Sequence, residues 1–125
     1  MQFQKHYTRE QARELLPQIR GWLEKLVQLR ADLDKAEQQL GALAAPGRDL
    51  GGGLVNQWVR ILAGIQEFLL EFYRRQIQIK DLDRGLIDFP ALLDGKEVFL
   101  CWEKAEADIQ YWHDLDTGYS GRKKL

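Results

Sequence analysis

Apolar residues recur along the first third of the chain at Leu15, Ile19, Trp22, Leu26, Leu29, Leu33, Ala36, Leu40 and Leu43. The steps alternate between four and three residues, the a/d rhythm of a coiled-coil seam. Thr8 and Gln11 match a capping box, in which each side chain satisfies the other's backbone amide. A long helix is therefore predicted over about residues 8–41. Pro17 interrupts it, because proline lacks the N–H that would bond to Arg13 and crowds that carbonyl. The expectation is a kink near residues 13–17, or a short helix followed by a long one.

Gly41, Pro46, Gly47, Gly51, Gly52 and Gly53 predict a flexible connection over residues 41–53. A second seam follows at Val55, Trp58, Leu62, Ile65, Leu69 and Phe72, widened by Leu54, Ile61, Phe68 and Tyr73. It predicts a helix over about residues 54–76 with more than one neighbour. Two long helices joined by a loop form an antiparallel, coiled-coil-like helical hairpin. Such a hairpin leaves apolar surface open around Trp58 and Phe68, to be covered by the C-terminal half or by a second copy. Trp58, Ile61, Ile65, Phe68 and Phe72 are the candidate self-association residues.

After Arg75 the period changes. Ile77 and Ile79 alternate with polar residues, and the runs Leu86–Phe89 and Val98–Trp102 are rich in strand-forming residues. Asp94-Gly95 between those two runs is a hairpin signal. Ile109–Trp112 offers one more strand. The predicted fold class is α+β, a helical hairpin followed by a small antiparallel sheet of three or four short strands, as one domain over residues 1–125. The sheet and acidic turns occupy residues 77–117, and residues 118–125 form a loop with a basic end.

Composition narrows the function classes. The chain has 125 residues, a 45% hydrophobic and 30% charged composition and a net charge of −1, so no overall basic field draws it to nucleic acid. One cysteine, Cys101, makes no internal disulfide, which fits a reducing compartment. The opening Met1–His6 lacks the apolar stretch of a signal peptide, and no run approaches a membrane span. The expected location is cytoplasmic, with no membrane association.

Charge is nonetheless uneven. Residues 81–121 hold ten acids (Asp81, Asp83, Asp88, Asp94, Glu97, Glu103, Glu106, Asp108, Asp114 and Asp116) against three bases, Arg84, Lys96 and Lys104. Such a face attracts metal ions or a basic protein partner, unless it is simply a solvated sheet surface. The segment Asp81-Leu-Asp-Arg-Gly85 recurs as Asp114-Leu-Asp-Thr-Gly118. Read as calcium loops both fail: starting at Asp81, an EF-hand needs Gly at position 86 and Glu at 92, and both are Leu. Turn punctuation explains both segments better, with carboxylates capping amides.

His113 stands beside Asp114, and an imidazole among carboxylates suits a divalent ion or a general base. The candidate metal residues are Asp81, Asp83, Asp88, Glu106, His113 and Asp116. Cys101 is either a thiolate ligand from a neighbouring strand or a small buried residue of Phe99–Trp102. No signature of a zinc protease, serine hydrolase or phosphate-binding loop occurs, and no cofactor is implied beyond a divalent metal. Trp22 and Trp58 are core candidates, while Trp102 or Trp112 is open to external contacts.

Several of these motifs occur together in a known family. Thr8 before Glu10-Gln-Ala12 and Leu15-Leu-Pro17, then Lys80–Pro90, Val98–Trp102, Glu106, Tyr111–His113, Gly118 and Gly121-Arg122, resemble the small prokaryotic proteins called domain of unknown function 2203. The resemblance covers nearly the whole chain. It departs at Ala105, where the family usually has glycine, which bears on the local turn. It implies a cytosolic protein and carries no activity across. It directs attention to Asp88, Phe89, Pro90, Cys101, Trp102, Glu106, Trp112, His113 and Arg122, as site residues or as scaffolding of the sheet.

The leading functional expectation is a helix-mediated interaction or scaffold module, a homodimer presenting an acidic face to a basic partner. The alternative is a divalent-metal protein, with hydrolysis as the activity such a site supports, built on His113 and nearby carboxylates. Nucleic-acid binding through Arg122, Lys123 and Lys124 is disfavoured, because three bases beside ten acids release few counterions.

Overall fold

The computed structural model describes residues 1–43 and 52–125. Helix α1 spans Arg9–Leu43 and α2 spans Gly52–Arg74, followed by strands β1 (Gln78–Asp81), β2 (Leu86–Leu93), β3 (Lys96–Trp102), β4 (Tyr111–Asp114) and β5 (Lys123–Lys124). The class is α+β. The strands pair in chain order as one antiparallel sheet of five, β1-β2-β3-β4-β5, rather than three or four. The extra strand lies in the expected basic tail, where a short 3-10 turn at Tyr119–Gly121 returns the chain to β4.

The start of α1 follows its sequence closely. Gln11 N donates to Thr8 Oγ1 at 3.1 Å and Thr8 N donates to Gln11 Oε1 at 3.0 Å, closing the capping box. The helix runs through Pro17 as a single element, so the division into a short and a long helix does not occur. Of the glycine-rich connection, Gly41 ends up inside α1 and Gly52 and Gly53 inside α2, while residues 44–51 lie outside the described set.

The long seam of α1 divides between two neighbours. Ala12, Leu16, Ile19, Leu23 and Leu26 are buried in one core with Ile87, Phe89, Ala91, Val98, Leu100 and Trp102 of the sheet. The adjoining row meets α2: Trp22 packs edge-on against Phe72 at 5.5 Å, and Leu29 lies against Gly64. A helix wedged between a sheet and a second helix needs this broad apolar face, wider than one coiled-coil stripe. Each large side chain fully buried there contributes about 1.5–3 kcal/mol. Ile61 and Phe72 are buried, and Ile65 and Phe68 pack against the same core. These expected self-association residues therefore face inward. Trp58 is half-buried, and its Nε1 donates to Glu37 at 3.3 Å. The apolar residues that α2 leaves outside are Val59, Leu62, Leu69 and Tyr73.

Helix α2 ends without glycine. Ile77 N bonds Phe72 O at 3.1 Å and Gln76 N bonds Tyr73 O at 3.0 Å, a Schellman closure with Gln76 left-handed at φ 59°. The Gln76 side chain explains its presence, since Oε1 accepts Gln4 N and Lys5 N at 3.0 and 2.8 Å and ties down the N-terminal segment. The β2–β3 hairpin turns on Asp94 and Gly95, with φ 52° and 78°, the two positive values a two-residue type I′ loop requires.

Strand β2 is buried on both sides from Leu86 to Ala91. Ile87, Phe89 and Ala91 join the helix-side core, whereas Leu86 and Asp88 face the opposite side with Phe99, Cys101 and His113. Phe3 packs on that opposite side, 5.4 Å edge-on from Phe99, and Leu115, Thr117, Gly118 and Tyr119 border it. Among the described residues, no helix is long and apolar enough to cross a membrane.

Candidate metal centre

Register creates the site. Asp88 on β2 lies opposite Cys101 on β3, and Phe99, two residues earlier on β3, lies opposite His113 on β4. Residues two apart on a strand share a face, so Cys101 and His113 are diagonal neighbours beside Asp88. One ligand atom from each of Asp88, Cys101 and His113 falls within 4.8 Å of the others, and all three residues are buried. Asp88 and His113 expose only 1% and 2% of their surface.

The hydrogen bonds fix the imidazole. His113 Nδ1 lies 2.7 Å from the Asp114 carbonyl, and Nε2 lies 3.1 and 3.0 Å from the two Asp88 oxygens. A carbonyl only accepts, so Nδ1 carries a hydrogen and donates it. The contact between Nε2 and Asp88 then needs one hydrogen, on the ring or on the carboxyl. Burial pushes the Cys101 thiol up to about 12, the Asp88 charge adds to the rise, and Arg122 opposes it. Cys101 is thus a neutral thiol and not an activated nucleophile.

A cavity of about 180 Å³ opens on the three residues. Their chemistry suits a borderline-soft divalent ion such as zinc, which takes sulfur, imidazole nitrogen and carboxylate oxygen together. The Nδ1–H bond to a backbone carbonyl is the outer contact that commonly orients a ligating histidine and points the other nitrogen at the ion.

The other expected ligands lie elsewhere. Asp81 accepts Arg84 N at 3.2 Å in the β1–β2 turn, and Asp83 pairs with Arg30. Asp116 is exposed in the segment after β4. Glu106 accepts Glu103 N and takes Arg122 Nη2 on both oxygens at 2.7 Å. Both D-L-D-x-G segments are turns: Thr117 N and Oγ1 bond Asp114 O at 3.2 Å in the second. Of the six candidate metal residues, Asp88 and His113 come together, and Cys101 completes the group.

The remaining motif residues build the frame. Trp102 and Phe89 are buried in the core, and Trp102 Nε1 donates to Glu106 O at 2.9 Å. Pro90 O accepts Tyr7 N at 2.7 Å. Trp112 is half-buried under Lys123 Nζ, 5.0 Å from its ring, so neither C-terminal tryptophan stands free. Arg122, 9% exposed, stacks over Tyr111 and Tyr119 besides binding Glu106. Burial alone would lower its pKa, but the bonds and charge of Glu106, with Cys101 and Tyr119 adding to them, together outweigh this and raise it. Seven of the ten acids in residues 81–121 pair with basic groups of the chain: Asp83, Asp88, Glu97, Glu103, Glu106, Asp108 and Asp114. Arg9, Arg13 and Arg30 of α1 supply part of that neutralisation.

A family model described as uncharacterized conserved protein (DUF2203) matches residues 5–125. No curated protein and no solved structure matches the chain.

Proposed function

The chain belongs to the DUF2203 family of uncharacterized conserved proteins, and for this member we propose a divalent-metal protein of the zinc class, with Asp88, Cys101 and His113 as ligands. The carrying observation is the buried convergence of three chemically distinct donors within 4.8 Å beside a cavity. Carboxylate, imidazole and thiol from three adjacent strands are matched to the ion, while Asp114 O holds the ring. Three protein ligands leave a fourth position toward the cavity, the arrangement of catalytic rather than structural zinc sites. When bound, such an ion supplies Lewis acidity and lowers the pKa of water, which makes hydrolysis the activity class to screen. His113 holds its Nδ1 hydrogen against Asp114, and Leu86 and Phe99 give the cavity apolar walls.

The test is thermal unfolding of chelator-stripped protein with Zn²⁺, Co²⁺, Mn²⁺, Mg²⁺ and Ca²⁺. An ion that binds only the folded state adds about 2.7 kcal/mol at 100 times its Kd, several degrees for a domain of this size. The expected result is a rise with Zn²⁺ and Co²⁺ that Cys101→Ser and His113→Gln each reduce. No rise with any ion overturns the proposal.

A second reading concerns assembly. Val59, Leu62, Leu69 and Tyr73 are exposed on α2 at spacings of three, seven and four, a heptad rhythm on its outer side. A second copy is the partner this stripe suits, packing helix to helix into a dimer of the coiled-coil kind, in keeping with a cytoplasmic scaffold. Sedimentation tests it: a dimer that Leu62→Glu with Leu69→Glu converts to monomer supports it. A monomer at micromolar concentration refutes it.

A further inference from the structure

We propose that the cavity beside Asp88, Cys101 and His113 takes a small aliphatic monocarboxylate, bound head-first to the metal; this rests on the metal reading above. Size comes first. A cavity of about 180 Å³ holds about six water-sized positions at roughly 30 Å³ each, which matches an acid of three or four carbons and excludes a nucleotide or sugar. The walls select an aliphatic body. Leu86, Phe99, Leu115 and the Tyr119 ring line most of the space, with Thr117 and Gly118 at its exposed edge.

Charge selects the head group. A divalent cation is balanced by the Asp88 carboxylate and the Cys101 thiolate, with His113 neutral as a ligand. Lys80 then adds a positive charge at the lining, with Nζ held 5.6 Å over the Phe99 ring. Among the described residues Lys80 enters none of the ion pairs that neutralise the other charges nearby. One net positive charge suits a monoanion, and a dianion such as phosphate leaves an excess negative charge in a largely apolar space.

Cobalt reports both steps separately. Co²⁺-loaded protein is titrated with butyrate, propionamide and inorganic phosphate while the visible absorption of the site is recorded. The expected result is a saturable spectral shift with butyrate and none with propionamide or phosphate. Lys80→Gln should weaken butyrate binding by about fivefold, the reach of an exposed charge, and leave the cobalt spectrum itself intact. An intact cobalt spectrum that butyrate does not change overturns this inference and spares the metal site. Equal shifts with butyrate and phosphate also overturn it. Protein that develops no cobalt absorption removes the metal reading and this one with it.

Discussion

Loading the site with Zn²⁺ should release about two protons, and removing the thiol should cut that to about one. The count follows from the hydrogen bonds. His113 keeps its Nδ1 hydrogen on the Asp114 carbonyl whether or not the ion is present. The hydrogen between Nε2 and Asp88 sits between the two groups that would hold the ion, so binding would displace it. The thiol, raised to about 12 chiefly by burial, is protonated near neutral pH and must lose its hydrogen too. Calorimetric titrations in buffers of different ionisation enthalpy measure the number directly. The thiol proton alone should make the apparent affinity of the natural chain gain about tenfold more per pH unit near neutrality than that of Cys101→Ala. Tight binding with no proton release would refute the reasoning, since it would place the ion on surface carboxylates. Two protons from Cys101→Ala would exclude the thiol as a ligand.

Other consequences bear on the frame around the site. Glu106→Ala strands the Arg122 guanidinium, which is 9% exposed, and should cost about 3 kcal/mol in denaturant unfolding; a loss below about 0.5 kcal/mol would show that the pair is dispensable. At Glu97, burial acts to raise the pKa, but His6 and the Phe3 and Gln2 amides outweigh it and hold the carboxyl at about 2 against the usual 4.5. A depressed carboxyl contributes stability above its ordinary range and loses it as pH falls toward about 2, so Glu97→Gln should flatten the acid side of the stability profile. An unchanged acid limb would contradict that. Gly85 has φ +63°, and a Cβ there would sit 2.6 Å from Lys104 Cβ; Gly85→Ala should therefore destabilise by about 1–3 kcal/mol in thermal unfolding, and a neutral outcome would mean the turn relaxes freely.

Element types were legible where a periodicity ran long. The four-three rhythm of α1, its capping box and the Asp94-Gly95 turn all state local preferences that the fold obeys. Partner assignment was not legible, because Leu15 and Leu16 rows are equally apolar and only the third dimension decides which meets the sheet and which meets α2. Strand β5 was invisible, since Lys123-Lys124 has no alternation and forms by pairing with β4. At the site, Asp88 and His113 stood out by residue type, but their meeting depends on strand register across 25 residues. Cys101 sits in an apolar run that also describes an inert core strand, so its grouping with them needed the sheet. Asp81, Asp83 and Asp116 carried the same residue-type signal, and two of them are accounted for by a turn and an arginine.

The most direct test of the account is the zinc X-ray absorption spectrum of the loaded protein. Zinc held by Asp88, Cys101 and His113 should show one sulfur neighbour at about 2.3 Å and nitrogen or oxygen neighbours at about 2.0–2.1 Å, with the sulfur lost in Cys101→Ser. A shell of oxygen and nitrogen alone in the natural chain would contradict it.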